Sequence, residues 1–310
     1  MKEKELLRLI QISKLYYEEN KTQAEIARIM NVSRPSVSNL LTKARKEGIV
    51  KIDILSYEHS NMGLSQAMCQ QFNLKSCHVM ESGEDFHQAA SKVVLKYLDN
   101  ARVLGLGWGY NINKVIEALQ QTNIGETAQG IVCPLIGTAT VPHRGYHPNE
   151  LATDLSRKTG FQVEYLISPA FPTTEQDQEL FMNTTNYHTI LERWRKTDTA
   201  IITLGSFPLV PDHGTALRFG KKLTQEKAVG SLLSYFFNLQ GERIEGDDDY
   251  AIQIPLRLLA RVKHVIGIVP PESNTSAVIS CLRTGYIRHL VIAEQTAKDV
   301  IDKNQSNRYG

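Results

Sequence analysis

Apolar positions along the chain follow one period at the front and another behind it. In ELLRLIQISKLYYEE, residues 5–19, Leu6, Leu9, Ile10, Ile12 and Tyr16 recur at helical spacing and predict a first amphipathic helix. A second is predicted from Thr22, whose hydroxyl can cap free amides while Glu25, three positions on, completes a capping box for TQAEIARIM. Ile26, Ala27 and Met30 then face inward. Asn31 tolerates a left-handed turn, Val32 tucks beneath it, and Ser33 caps a third helix whose first turn holds Pro35, where a missing amide costs nothing. That helix, Arg34 to Glu47, is expected to bury Val37, Leu40, Leu41 and Ala44 before Gly48 stops it. IVKIDIL, which follows Gly48, predicts a small strand wing, and the polar YEHSNMG, residues 57–63, reads as a linker. The expected division is therefore residues 1–56 and 57–310.

Behind the linker the pattern becomes short runs that are apolar on both alternating faces: KSCHVM (75–80), RVLGLGW (102–108), GIVCPLIG (130–137), TAIITLG (199–205), VKHVIGIV (262–269) and RHLVIAE (288–294). Such runs fit strands of a parallel sheet covered on both sides. Helical stretches lie between them, including DFHQAASKVVLKYLDN, NINKVIEALQ, ELATDLSRKTG and NTSAVISCLRTG. The alternation predicts a doubly wound α/β domain behind a helix-turn-helix.

Composition narrows the class. The chain of 310 residues is 42% hydrophobic and 22% charged, and its apolar runs are far shorter than the ~20 positions of a membrane helix. The front lacks the apolar stretch of a secretory signal, so a cytoplasmic protein is expected. Cys69, Cys77, Cys133 and Cys281 are scattered with no CxxC pair, which predicts reduced, mostly buried thiols and neither a zinc site nor a disulfide framework. No cofactor is implied. The overall charge of +2 hides an asymmetry: residues 1–51 hold eleven Lys or Arg against six Asp or Glu, leaving 24 against 27 behind. Only the front is drawn to a polyanion.

Candidate chemistry follows the same division. In a helix-turn-helix the N-terminal part of the second helix enters the major groove. Short side chains at Ser36 and Ser38 allow close approach, Asn39 can pair with an adenine edge, and Arg34 can reach guanine or phosphate. Lys21, Gln23, Arg28 and Lys43 are the expected phosphate contacts. A plain three-helix bundle with a solvated basic face remains the alternative.

In doubly wound sheets, ligands bind beyond the carboxyl ends of strands. GLGWGYN places Gly105, Gly107 and Gly109 between a strand and a helix start, and GTAT and GSF repeat the theme with Thr138, Thr140 and Ser206 as hydroxyl donors. The spacing GxGxG is not the dinucleotide fingerprint. His143 and His147 are flanked by Pro142 and Pro148 and separated by Gly145, which together forbid a shared helical metal site, Asp247 to Asp249 read as a solvated loop, and no nucleophile motif stands out.

Several segments, in order, resemble the SorC family of bacterial sugar-responsive transcription regulators: YYEENKTQAEIARIMNVSRPSVSNLLTKARKEGIV, GLGWGYN, PLIGTAT, YHPNEL, LGSF, AVGSLLSYFFNLQG and TGYIRHLVIAEQTA. The resemblance covers nearly the whole chain. It implies an operator-binding helix-turn-helix joined to an effector domain folded like sugar-phosphate isomerases and deaminases but without their catalysis, in a homotetramer built as a dimer of dimers. It places Gly107, Trp108, Gly109, Gly137, Thr138, Asn149, Gly205, Ser206 and Arg218 around a sugar or sugar phosphate. Ser231 stands where relatives commonly have an acidic residue, Asn274 near a usual phosphate-binding Lys, and Ile136 where one branch has an imine-forming Lys, so no covalent adduct is expected. The competing expectation is a sugar-phosphate isomerase or deaminase with a fused DNA-binding head.

Overall fold

The computed structural model describes residues 3–19, 21–50, 59–122, 130–139, 143–207 and 213–306. The chain forms two compact units, Met1–Glu58 and His59–Gly310.

The first unit holds α1 (Glu3–Ser13), which continues as a π-helical turn over Lys14–Glu18, then α2 (Gln23–Ile29) and α3 (Arg34–Lys46). Its ends are set by the residues the sequence singles out. Thr22 and Glu25 form the capping box, with the Thr22 amide donating to the Glu25 carboxylate at 2.8 Å. Asn31 adopts φ 50°, and Ser33 accepts the Ser36 amide at 3.3 Å. Gly48 leaves the last turn at φ 72°. Ile12, Leu15, Ile26, Val37 and Leu41 form the core, while Leu40 packs against it half-buried and Leu6 lies at the surface. The predicted strand wing falls on residues outside those described, apart from Ile49 and Val50, which form a bend.

The second unit begins with a correction. Residues 59–63, expected in the linker, are the opening turn of α4 (His59–Phe72). After it come β1 (Ser76–Met80), α5 (Phe86–Leu98), β2 (Val103–Leu106), α6 (Tyr110–Ala118), β3 (Ile131–Pro134), α7 (Pro148–Thr159), β4 (Gln162–Val163), α8 (Glu175–Met182), α9 (Thr185–Lys196) and β5 (Thr199–Ser206). The chain continues through α10 (His213–Phe219), α11 (Lys222–Gln225), β6 (Gly230–Leu232), β7 (Tyr235–Phe237), β8 (Arg243–Ile244), α12 (Leu256–Leu259), β9 (His264–Val269), α13 (Thr275–Arg283), β10 (His289–Ala293) and α14 (Glu294–Ser306).

Seven strands run parallel in the order β1-β10-β9-β5-β2-β3-β4. The short ribbon β6–β7–β8 pairs antiparallel with the end of β5. Alternate residues of each inner strand feed opposite cores. Leu104, Ile201, Ile266, Ile268 and Val291 pack with α5, α6 and α7, whereas Val103, Ala200, Ile202, Val265 and Leu290 pack with α4, α9, α13 and α14. Burial on both faces is why these strands read as continuous apolar runs. Strand order reverses between β2 and β5, so the crevice of a doubly wound sheet lies at their carboxyl ends.

Candidate functional sites

On α3, Val37, Leu41 and Ala44 face the core, and the opposite stripe presents Arg34, Ser38, Asn39, Thr42 and Arg45 to solvent. Arg28 is exposed at the end of α2, while Gln23, in its first turn, and Lys43, on α3, are half-buried. Lys21 pairs with Glu19 at 3.4 Å. Neither Arg28, Arg34 nor Arg45 has an ion-pair partner among the described residues, which leaves them free for phosphates. Ser36 departs from the expectation: its hydroxyl lies 2.8 Å from that of Ser33, so it belongs to the helix cap rather than to the exposed reading face. The Glu25 carboxyl is held below its ordinary range by the Thr22 backbone and side-chain hydrogen bonds.

At the carboxyl edge of the sheet, Gly107 continues β2 toward β5 through an amide donated to Ile201 at 2.8 Å, and a Cβ there would lie 3.1 Å from that carbonyl. Gly105 lies within the strand, where a Cβ would strike Leu135 at 2.4 Å, so it is a packing glycine. Trp108 is half-buried between the core cluster that α5, α6 and α7 cover and the Ile136–Ala139–Ala170 cluster. Gly109, at φ 102°, opens α6 without a side-chain cap, leaving first-turn amides to face an anion.

Sequence reasoning missed an aromatic rim at this opening. Tyr110 is exposed and meets Tyr146 edge-on at 5.8 Å and His87 at 6.1 Å; His143 lies tilted against Tyr146 at 4.8 Å. His87 Nε2 and the Asn111 side-chain oxygen are 3.2 Å apart. The Gly145 amide donates to His143 Nδ1, so in the neutral ring the proton sits on Nε2. Spread over the 60 positions from His87 to Tyr146, these residues carry no local signal.

The second loop is more rigid than expected. Gly137 donates its amide to Ile252 at 2.9 Å and Thr138 donates to Ser168 at 2.8 Å, so neither amide is free for phosphate. The Thr138 side chain remains exposed, and Thr140 lies outside the described residues. A Cβ on Gly137 would stand 2.5 Å from the Pro169 carbonyl oxygen. Beside this loop, Ser168 Oγ and Gln253 Nε2 are buried without a hydrogen-bond partner. Gln253 bridges to Ile136, and Ser168 accepts the Thr138 amide. Each such group costs about 1–3 kcal/mol while it has no polar partner.

Other expected ligands prove structural. Gly205 and Ser206 continue into antiparallel pairing with Ser231 and Gly230, and a Cβ on Gly205 would meet the buried Ser231 hydroxyl at 2.3 Å. Asn149 holds Leu166 by both ends of its amide, at 3.0 and 3.1 Å. Asn274 accepts the Ala277 amide at 3.1 Å as the cap of α13. Arg218, only 2% exposed, is ion-paired with Asp249 at 2.8 Å, donates to the Ser234 carbonyl and hydroxyl, and lies against Phe171 and Phe219. Asp249 is therefore no part of a solvated loop: its side chain is only 9% exposed. The candidate carboxyl-edge site that remains comprises Trp108, the start of α6, the aromatic rim, Thr138 and the unpartnered Ser168 and Gln253.

Residues 58–302 match the family profile described as "Putative sugar-binding domain". The chain belongs to this sugar-binding family. Residues 2–47 match sigma-70 region 4, in agreement with the helix-turn-helix geometry of the first unit of this sugar-binding family member. Among curated relatives, the sorbitol operon regulator of Klebsiella pneumoniae is 27% identical over 94% of this chain and 96% of its own, and the deoxyribonucleoside regulator of Bacillus subtilis is 23% identical over the same shares. The full-length crystal structure of the Klebsiella regulator SorC aligns with a TM-score of 0.70 at 26% identity, covering 96% of this chain and 99% of that one. These similarities bear out the SorC resemblance and the helix-turn-helix plus α/β fold. Among the described residues no helix is long and apolar enough to cross a membrane.

Proposed function

We propose that this protein is a DNA-binding transcription regulator of a carbohydrate-utilisation operon, controlled by a sugar or sugar phosphate. The observation that carries the reading is the outward stripe of α3, which is short, polar and cationic, on a helix whose cap and core match groove-reading geometry. Residues 1–56 act on the operator; residues 57–310 bind the effector and hold subunits together. The relatives are named regulators, and two positions favour that reading over an isomerase or deaminase: Ser231 lies in a sheet ladder and Asn274 caps a helix, so neither supplies an acid or base. A cytoplasmic homotetramer suits a two-fold operator, since paired recognition helices must reach successive major grooves. Effector binding at the β2–β5 crevice favours one subunit arrangement and so shifts operator affinity by the usual allosteric coupling of about 1–3 kcal/mol.

The test is Asn39→Ala, with binding measured on operator and on random duplex of equal length. Base reading by Asn39 predicts a loss of about 1–3 kcal/mol on the operator and little on random DNA. Lys43→Ala should weaken both alike. Equal losses on both duplexes after Asn39→Ala remove that residue from the reading role.

A further inference from the structure

We propose that the opposite, amino edge of the sheet carries a second ligand site, for a small phosphorylated metabolite, held by Lys96, Arg102 and Lys263. These residues line a cavity of about 370 Å³ where α5 ends and β5 and β9 begin. That volume suits a sugar-phosphate-sized molecule. The eight residues of β5 separate it from the carboxyl-edge crevice by roughly 23 Å, so the two sites are distinct.

Charge at this edge is unbalanced. None of Lys96, Arg102 and Lys263 has an ion-pair partner among the described residues, and Lys75 adds a fourth cation at the rim, where it donates to the Lys263 carbonyl at 3.3 Å. The cavity's one carboxylate is already engaged: Asp198 accepts the Arg102 and Val103 amides at 3.0 and 3.3 Å and the Thr199 hydroxyl at 2.9 Å. The carbonyl end of α5 opposes the cations with only about half a unit charge. An anion is the missing component.

A hydrogen-bonded chain orients the polar wall. Ser76 Oγ and the Tyr97 hydroxyl contact His289 Nδ1 at 2.8 and 3.0 Å, and His289 Nε2 lies 2.9 Å from His264 Nδ1. His264 Nε2 has no partner among the described residues. Burial first, then the charges of Lys263 and Lys75, hold His264 below its ordinary range, while Asp198 pulls it up. The other charged and titratable groups of this edge include Lys96, Tyr97, Arg102, the His289 ring and His78, which senses Lys96 and His289. A bound phosphate opposes the field of Lys263 and Lys75 at His264, which favours proton uptake there as the ligand enters and makes affinity rise as pH falls.

The experiment is isothermal titration of the full chain with pyrophosphate. The wild type and the charge-matched control K221Q/K303Q, altered at two exposed lysines outside the cavity lining, should bind alike, and K96Q/K263Q should lose a site or bind it about tenfold more weakly. Circular dichroism verifies that each variant is folded. Lowering the pH from about 8 to about 6 should tighten binding more in the wild type than in H264Q, a difference that removes the titration of pyrophosphate itself. Absence of binding to the wild type, binding unchanged in K96Q/K263Q, or an equal loss in the control overturns the proposal.

Discussion

Arg218→Met separates a phosphate ligand from a structural pin. The substitution keeps an apolar stem between Phe171 and Phe219 and removes the donors: Nε to Asp249 at 2.9 Å, Nη2 to the Ser234 carbonyl at 2.9 Å, and the contact to the Ser234 hydroxyl. Asp249 would keep only Arg243, 3.7 Å away, and the Ala251 amide at 3.4 Å. Breaking one side of a buried pair leaves an uncompensated charge and costs about 3–5 kcal/mol. The lost stacking of the guanidinium on two rings adds to this, though not additively. For a unit of this size that corresponds to a melting point lower by roughly 6–20 °C. Both tryptophans, Trp108 and Trp194, lie in the second unit, so urea unfolding followed by their fluorescence reports on it directly. The double variant R218M/D249N, which removes the stranded charge, should recover part of the loss. A stability change under about 1 kcal/mol in R218M, together with a vanished thermal shift from sugar phosphates, would refute the pin and return Arg218 to the ligand set.

In the first unit, Leu41→Ala empties a fully packed position and should cost about 2–5 kcal/mol, enough to abolish DNA binding while the tryptophan-reported unit melts as before. Gly137→Ala forces a methyl onto the Pro169 backbone and should lower stability by about 1–3 kcal/mol and reduce the thermal shift given by a sugar phosphate; an unchanged melting point would contradict the contact. Burial, with help from His264, Lys75 and His78, pushes His289 down to about 4. Its folded value lies below the unfolded one near 6.5, so the unfolded chain binds the proton first as pH falls; full stability above about 6.5 is lost between there and 4, by at most about 3 kcal/mol. H289Q should flatten that part of the stability profile.

Much of this was legible because it is local. The capping box at Thr22 and Glu25, the left-handed Asn31 and the Ser33 cap each act within four residues, and both-face burial writes six strands as plain apolar runs. What failed depends on distance. Asp249 looked solvated because its partner Arg218 is 31 positions away, and the family resemblance that offers Asn149 as a ligand carries no sign of the Leu166 backbone it clamps. The ribbon β6–β7–β8 escaped because strands of two or three residues carry no period. His59 to Gly63 read as linker because polar residues and a glycine at a helix start look like a loop until packing extends the helix.

Operator affinity with and without effector tests the account most directly. Fluorescence anisotropy of a labelled operator fragment, titrated with the full chain at fixed salt and a panel of free and phosphorylated sugars, should show one compound shifting the dissociation constant by about 5–150-fold, with the same compound raising the melting point of the second unit. Specific operator binding that no sugar or sugar phosphate alters would contradict the coupling of the two units, and no preference for any promoter fragment would contradict the reading of α3.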